Sequence, residues 1–278
     1  MTTKAPALMS VDVEDWFQVE NLRGAIARDT WNERELRVEK NVELILDILA
    51  ASGTKATFFT LGWVAERAPG LVKKIHSGGH EIASHGYGHD LIYNLTEDQF
   101  REDVTRSKKL LEDITGEPVI GYRAPNFSIT DWAIDILRET GFKYDSSLFP
   151  SMAHDRYGKL KKFKVEDSRW FELAPGFHQV LLSCLPLGGR NLPWAGGGYF
   201  RLIPYPVFQR GVRRILRLKQ AYCFYIHPWE FDPGQPRVTG IKASYRFRHH
   251  NNLERTEKRF RALVNDFSFQ PIRDALAA

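Results

Sequence analysis

The chain has 278 residues, of which 43% are apolar and 26% charged, with a formal net charge of +5. Those proportions describe an ordinary globular chain, long enough for one large α/β domain, and exclude a disordered or collagen-like one. No apolar run reaches the roughly 18 residues that would span a bilayer, and the basic residues are scattered without any nucleic-acid-binding pattern.

ALMSVDV (7–13) is a short, β-branched apolar run. It reads as a first strand that ends in an acidic cluster, Asp12, Glu14 and Asp15. Residues 34–53 carry Val38, Val42, Ile45, Leu46 and Leu49 at helical spacing, and Gly53 stops them. KATFFTLGW (55–63) reads as a second strand, 68–79 as a short helix closed by glycines, and HEIASH (80–85) as a third strand. Residues 95–116 form a helix with a capping box, Thr96 with Gln99, and an apolar face of Phe100, Val104, Leu111 and Ile114. PVIGYRAP (118–125) is a fourth strand, 129–141 a helix, and FKYDSSLF (142–149) a fifth strand or extended segment. This alternation predicts parallel strands with helical crossovers, in an α/β barrel or an open sheet.

The second half is less regular. A long excursion over 150–169 precedes strands over 170–176 and 178–187 and a glycine-rich turn over 193–201. A basic helix over 205–219, an apolar strand over 221–229 containing His227, and a final helix over 251–267 follow. No repeat or linker is visible, so a single domain over 1–278 is expected. Cys184 and Cys223 lie in apolar runs and read as buried thiols. The opening MTTKAPALMSVDVEDW holds too short an apolar run for a signal peptide, so a cytoplasmic protein is expected.

Chemistry collects at strand ends in parallel α/β folds, where loops vary over a rigid sheet. Here the segments SVDVEDW, ASHGYGH and YIHPWE all end strands. His85 and His89 form H-x-x-x-H, and both imidazoles can reach one ion, on a helical turn or from a loop that Gly86 and Gly88 let wrap. A carboxylate from the first strand is the natural third ligand, and such a set leaves positions for water and substrate.

The ordered segments SVDVED, KATFF, SHGYGH, GYRAP, YDSS and YIHP together resemble the metal-dependent polysaccharide deacetylases, the NodB-homology carbohydrate esterases of family 4. HDRYG, GGGYFR, HPWEFDP and RHHNNL further resemble deacetylases of bacterial exopolysaccharide loci. The resemblance implies a distorted (β/α) barrel, a core over about residues 8–230 with an extension over 231–278, and one divalent ion, most often zinc. It implies an N-acetylated glycan, or its precursor, as substrate. Residue by residue, it implies Asp12 as general base, His85 and His89 as ligands, and Arg123 as the cation holding the base. His227 would be the general acid, oriented by Asp145. One position departs: Val13 stands where much of the family has a ligand aspartate, so the ligand is Glu14 or Asp15. Strand alternation puts 12 and 14 on one face and favours Glu14.

The residue types suit amide hydrolysis. A divalent ion lowers the pKa of bound water from 15.7 to around 7, a carboxylate takes its proton, and a histidine protonates the leaving amine. Tyr122, Pro125 and Asn126 are expected on the substrate side, with a backbone N–H near the last two facing the oxyanion, and Tyr199 and Trp229 as stacking surfaces. HDRYG (154–158) and RHHNNL (248–253) are further candidates, and the GGGYFR glycines permit close backbone approach. His80, at the other end of its strand, reads as structural. RGVRRILRLK reads as a core-packed helix with a solvated basic face, a weak membrane-surface contact being the alternative. Two other functions stay open: an amidohydrolase acting on a small cyclic amide, and a glycan-binding protein with a dead site.

Overall fold

The structure is a computed structural model that describes residues 6–150, 158, 160–162, 170–218 and 221–277. HDRYG, apart from Gly158, falls outside the described residues. The strands are β1 (Ala7–Val13), β2 (Thr57–Thr60), β3 (Glu81–Ser84), β4 (Gly121–Tyr122), β5 (Tyr144–Asp145), β6 (Trp170–Ala174), β7 (Phe177–Val180), β8 (Cys184–Leu187), β9 (Arg190–Pro193), β10 (Tyr222–Ile226) and β11 (Phe269–Gln270). The helices are α1 (Val38–Ala51), α2 (Gly62–Arg67), α3 (Pro69–Ser77), α4 (Glu97–Thr115), α5 (Asp131–Glu139), α6 (Gly197–Leu202), α7 (Tyr205–Arg217), α8 (Ala243–His250), α9 (Thr256–Asp266) and α10 (Ile272–Ala277).

One sheet runs β10-β1-β2-β3-β4-β5-β7-β6, with β11 also on β1. Its neighbours are parallel except β6 with β7. β8 and β9 form a separate hairpin. No ladder joins β7 to β10; residues 182–196 cross that gap instead. Ser183 Oγ accepts the N–H of Cys223 at 2.8 Å, and Tyr225 N donates to Ala195 O at 3.0 Å. The barrel is therefore distorted, as the sequence implied.

β1 is buried on both faces, one packed against α1 and the other turned into the barrel, which is why it reads as a nearly unbroken apolar run. Ala7, Met9, Val11 and Val13 face the larger core cluster, with Val42, Ile45 and Leu49 of α1. Burial of each such aliphatic side chain contributes about 1.5–3 kcal/mol. Leu8 turns to a smaller cluster with Phe59, Ala83, Tyr144 and Cys223. Ser10 and Asp12 share Leu8's face by alternation, so the polar residues of β1 point into the barrel.

Several elements differ from the pattern reading. Residues 193–201 are not simply a turn: α6 begins at Gly197. Gly196 is glycine because an added Cβ would sit 2.4 Å from the Tyr225 hydroxyl oxygen. The apolar run 178–187 breaks between β7 and β8, and α8 precedes the expected last helix. The apolar face of α7 (Phe208, Val212, Ile215) is core, while Arg210, Arg213, Arg214 and Arg217 are exposed. Among the described residues no helix is long and apolar enough to cross a membrane.

Asp15 is a capping residue. Its carboxylate accepts the N–H groups of Trp16 at 2.7 Å, Arg37 at 2.6 Å and Val38 at 2.8 Å. It thus closes both the 3₁₀ turn Trp16–Gln18 and the start of α1. Loss of a cap costs about 0.5–2 kcal/mol. Asp15→Ala should lower the unfolding free energy measured in urea by that order while divalent-metal content stays at the wild-type level; loss of metal with no loss of stability would show the assignment to be wrong.

Candidate metal and catalytic site

β1 delivers Asp12 to a cleft at the strand C-termini. A tight turn follows, in which Glu14 N donates to Asp12 O at 3.0 Å, and both side chains line the same cleft. β3 ends at Ser84, and the HGYGH segment that follows is a loop. Gly86 (φ 72°) and His89 (φ 55°) are left-handed, a conformation that costs a non-glycine residue on the order of 1–3 kcal/mol. Asp103 of α4 holds this loop by accepting the N–H groups of Tyr87 at 2.8 Å and Gly88 at 3.1 Å. A Cβ on Gly86 would lie 2.7 Å from that carboxylate, so glycine is required there.

Glu14, His85 and His89, all buried, each bring one ligand atom within 4.8 Å of the others. This donor set fits a divalent cation on three observations. His85 Nδ1 lies 2.8 Å from Arg123 O, so it donates its proton to that carbonyl and leaves Nε2 with a free lone pair. Burial pulls His85 down to about 4, so the ring is neutral near pH 7, as a ligand must be. Glu14 Oε2 is buried 2.6 Å from His89 Nε2, with no other hydrogen-bond partner; only a proton or a cation reconciles the two atoms. Burial pushes the Glu14 carboxyl up, but His89, His227 and His85 outweigh it and hold it at about 2. Trp229 Nε1 donates to Glu14 Oε1 at 3.0 Å and fixes the carboxylate from behind. Of the two carboxylates left open by sequence, Glu14 is the one in the cluster; Asp15 is committed to backbone caps.

Arg123 is wholly buried. Its Nη1 donates to Asp12 Oδ1 at 2.6 Å and to Ser10 Oγ at 2.8 Å. Nε and Nη2 reach Ser146 O at 3.0 Å and Ser146 Oγ at 2.9 Å. Asp12 is thereby fixed beside the metal cluster. On the far side, His227 Nε2 lies 3.9 Å from Asp12 Oδ2 and 3.7 Å from Glu14 Oε1. Burial pulls the His227 pKa down, but a hydrogen bond to the Glu230 carboxylate and the charges of Glu14, Glu230 and Asp12 lift it to about 9.

The partner of His227 is not Asp145. His227 Nδ1 contacts Glu230 Oε1 at 2.8 Å. Asp145 instead accepts from Ser147 N at 2.9 Å, from Ser147 Oγ, and from Gln179 Nε2 at 2.8 Å. The reason is pleat parity: β5 pairs Asp145 with Tyr122 and Tyr144 with Gly121. Asp145 therefore shares Tyr122's face, away from Asp12. Sequence reasoning missed Glu230, although H-P-W-E signals it: proline at the first turn position brings the fourth residue back to the first, as a capping box does.

The substrate-side expectations divide. A cleft of about 660 Å³ is lined by Asp12, His85, Asn126, Tyr199, His227 and Phe247, among others. Asn126, left-handed at φ 50°, carries a buried Nδ2 with no hydrogen-bond partner. Tyr122 is not on the cleft wall: it is buried on the helix side, 5.9 Å from Phe100 and 5.6 Å from Phe142 between ring centroids. Pro125 is buried in the turn below Asn126 and does not line the cleft. Trp229 lines it, but its faces are covered by His227 and His249, at 5.2 and 4.3 Å, so no sugar can stack there. His80 is structural, its Nδ1 accepting from Ala56 N at 3.2 Å.

Residues 29–144 match the polysaccharide deacetylase family model, and residues 146–277 match a domain of unknown function, DUF3473. The first segment is thus a polysaccharide deacetylase domain, and strands of both segments lie in one sheet, β2, β3 and β4 from the first and β6, β7 and β10 from the second, while β1 lies outside both matches. A peptidoglycan-N-acetylglucosamine deacetylase of Bacillus cereus is 32% identical over 117 residues, 37% of this chain and 42% of that protein. The chain spans less than half the length of the first curated relatives it matches. A crystal structure of a putative polysaccharide deacetylase from Mycobacterium smegmatis superposes with a TM-score of 0.62 at 18% identity, over 100% of this chain and 91% of that one. A CE4 family pseudoenzyme from Bacillus anthracis superposes at 0.51 and 14%, over 99% and 66%. The shared fold therefore accommodates an inactive site, and only the site residues speak to activity.

Glu14→Gln and His85→Ala should each abolish retention of divalent metal, measured by elemental analysis after dialysis; full retention in either would remove that residue from the ligand set. In the metal-free protein, folded His227 binds a proton more readily than the unfolded chain between about pH 6.5 and 9. Its stabilisation is complete below that window and lost as pH rises through it. The urea midpoint should fall from pH 6.5 to 9, and His227→Gln should flatten that decline.

Proposed function

We propose that the protein hydrolyses the acetamide of an N-acetylated amino sugar in a bacterial polysaccharide or its precursor, releasing acetate. The observation that carries this reading is the Glu14–His85–His89 cluster with Asp12 and His227 beside it, 3.9 Å apart at Asp12 Oδ2 and His227 Nε2. A divalent ion held by those three residues would lower the pKa of water towards 7 and polarise the amide carbonyl. Two imidazoles and one carboxylate suit zinc, and nickel, cobalt or iron fit similar donors.

The chain's own groups divide the proton work. Asp12, held by Arg123 on the barrel interior, accepts the proton of the attacking water. His227 Nε2 faces the cleft while Nδ1 is bonded behind it, so Nε2 is the atom that gives a proton to the leaving amine. Asn126 Nδ2, buried in the cleft wall, is a donor available to the developing oxyanion. Tyr199 and the exposed Phe247 give the cleft aromatic walls of the kind sugars pack against. Such a cleft takes a glycan from solvent and suits a polymer or its lipid- or nucleotide-linked precursor alike.

Acetate release from N-acetylglucosamine oligomers, with and without a chelator, tests the reading. Chelation should stop release and zinc should restore it. Asp12→Asn should keep its metal and lose about 10²–10⁴-fold in kcat. Metal binding without acetate release from any N-acetylated oligomer would favour a glycan-binding role; an Asp12→Asn variant of full activity would displace Asp12 as base.

A further inference from the structure

Arg201 and Glu230 are both about 1% exposed, and neither belongs to the metal cluster or the base. Arg201 Nε donates to Glu230 Oε2 at 2.7 Å. Glu230 Oε1 contacts His227 Nδ1 at 2.8 Å and accepts from His227 N at 3.2 Å. The remaining guanidinium N–H groups are spent on backbone carbonyls: His249 O at 3.2 Å, Asn251 O, and Arg248 O at 3.0 Å. Arg248, His249 and Asn251 themselves line the cleft. A Cβ on Gly197 would fall 2.1 and 2.2 Å from the two Glu230 oxygens. Three stretches, GGGYFR, HPWE and RHHNN, thus meet at one carboxylate that neither the base nor the metal cluster uses.

A carboxylate costs several kcal/mol to bury and is kept only where its partners are well placed. Here both oxygens are engaged, one by a guanidinium and one by the imidazole. With Nδ1 bonded to Glu230, the ring cannot rotate without breaking that bond, and Nε2 is left directed at the cleft. The guanidinium in turn cannot shift without releasing the 248–251 segment.

Resting on the deacetylase reading, we propose that Glu230 and Arg201 are positioning residues for the protonation half of the reaction, with Glu230 setting the His227 ring and Arg201 locking Glu230 to the cleft wall. In the balanced step, the water oxygen bonds to the acyl carbon and its proton passes to Asp12. The C–N bond breaks, and the amine leaves with the electron pair and takes the proton from His227 Nε2. The acyl product keeps the new C–O bond and the second water proton, which it loses to solvent as acetate; solvent takes the proton from Asp12 and returns one to His227. Glu230 touches no reacting atom.

A substrate that needs no protonation of its leaving group separates this role from a merely structural one. Wild type and Glu230→Gln are compared on N-acetylglucosamine oligomers and on 4-nitrophenyl acetate, whose phenolate leaves without a proton. Glu230→Gln should lose about 10²-fold in kcat on the oligomer, with KM within about threefold, metal content unchanged and ester hydrolysis near wild type. Paired with His227→Gln, it should cost nothing beyond His227→Gln alone, because the two act as one unit. If Glu230→Gln does not fold with Arg201 left uncompensated, Arg201→Met/Glu230→Gln removes both charges together and reads the same split. Equal loss on both substrates, additive losses in the double variant, or no loss on the oligomer would each overturn the proposal. A wild type that releases no acetate from the oligomer would instead sink the deacetylase reading itself.

Discussion

Arg123 is the residue on which the rest of the site depends. Its backbone carbonyl receives the Nδ1 proton of His85 and so decides which nitrogen of a metal ligand is free. Its side chain holds Asp12 at 2.6 Å. One residue at the end of β4 therefore sets both the ligand tautomer and the base. A guanidinium with no exposure is tolerable only if its N–H groups find partners. Ser10, Asp12 and Ser146 accept four of its five N–H groups, and the Phe59 ring lies 4.1 Å from its centre. Removing Arg123 would leave Asp12 buried and unpaired, a loss of about 3–5 kcal/mol in comparable pairs.

The same logic explains the serine pair after β5. Asp145 fixes Ser147, whose Oγ accepts Ala124 N at 2.7 Å, while Ser146 grips Arg123. Asp145 thus serves the site from behind, by holding the backbone on either side of Arg123. The base half is built from the ends of β1, β3, β4 and β5. The acid half is built from the turn after β10, from α6 and from the end of α8. The acid half lies within the segment matching DUF3473, Asp12 and Glu14 precede the 29–144 match, and the halves meet because β10, at one end of the strand order, pairs with β1. A register slip of one residue between these strands would reverse the faces of β10's side chains and open the cleft.

The first half of the chain was legible because its helices and strands alternate with clear periodicity and clean stops. Thr96 and Gln99 form the capping box that their spacing announced. The second half was less so. GGGYFR looked like a turn because glycines usually mark one, but Gly196 and Gly197 are there to let Tyr225 and Glu230 come close. That is a tertiary demand with no local signature. Spacing and strand alternation pointed to the cluster and favoured Glu14, the carboxylate that lies with His85 and His89. Asp145 and Tyr122 were misplaced for one shared reason: which face of a two-residue strand a side chain takes depends on register, and register is set by the neighbours. Trp229 failed differently, since nothing in the sequence tells that His227 and His249 cover its two faces.

The central claim is that two distant strand ends, those of β1 and β3, converge on one cation. Anomalous diffraction at the zinc edge, from crystals of the zinc-loaded protein, measures this directly. The expected result is a single strong peak bounded by a Glu14 carboxylate oxygen and by imidazole nitrogens of His85 and His89 at about 2.0–2.1 Å, with His85 bound through Nε2. A peak held by Asp15, or bound zinc lying away from both histidines, would contradict the account.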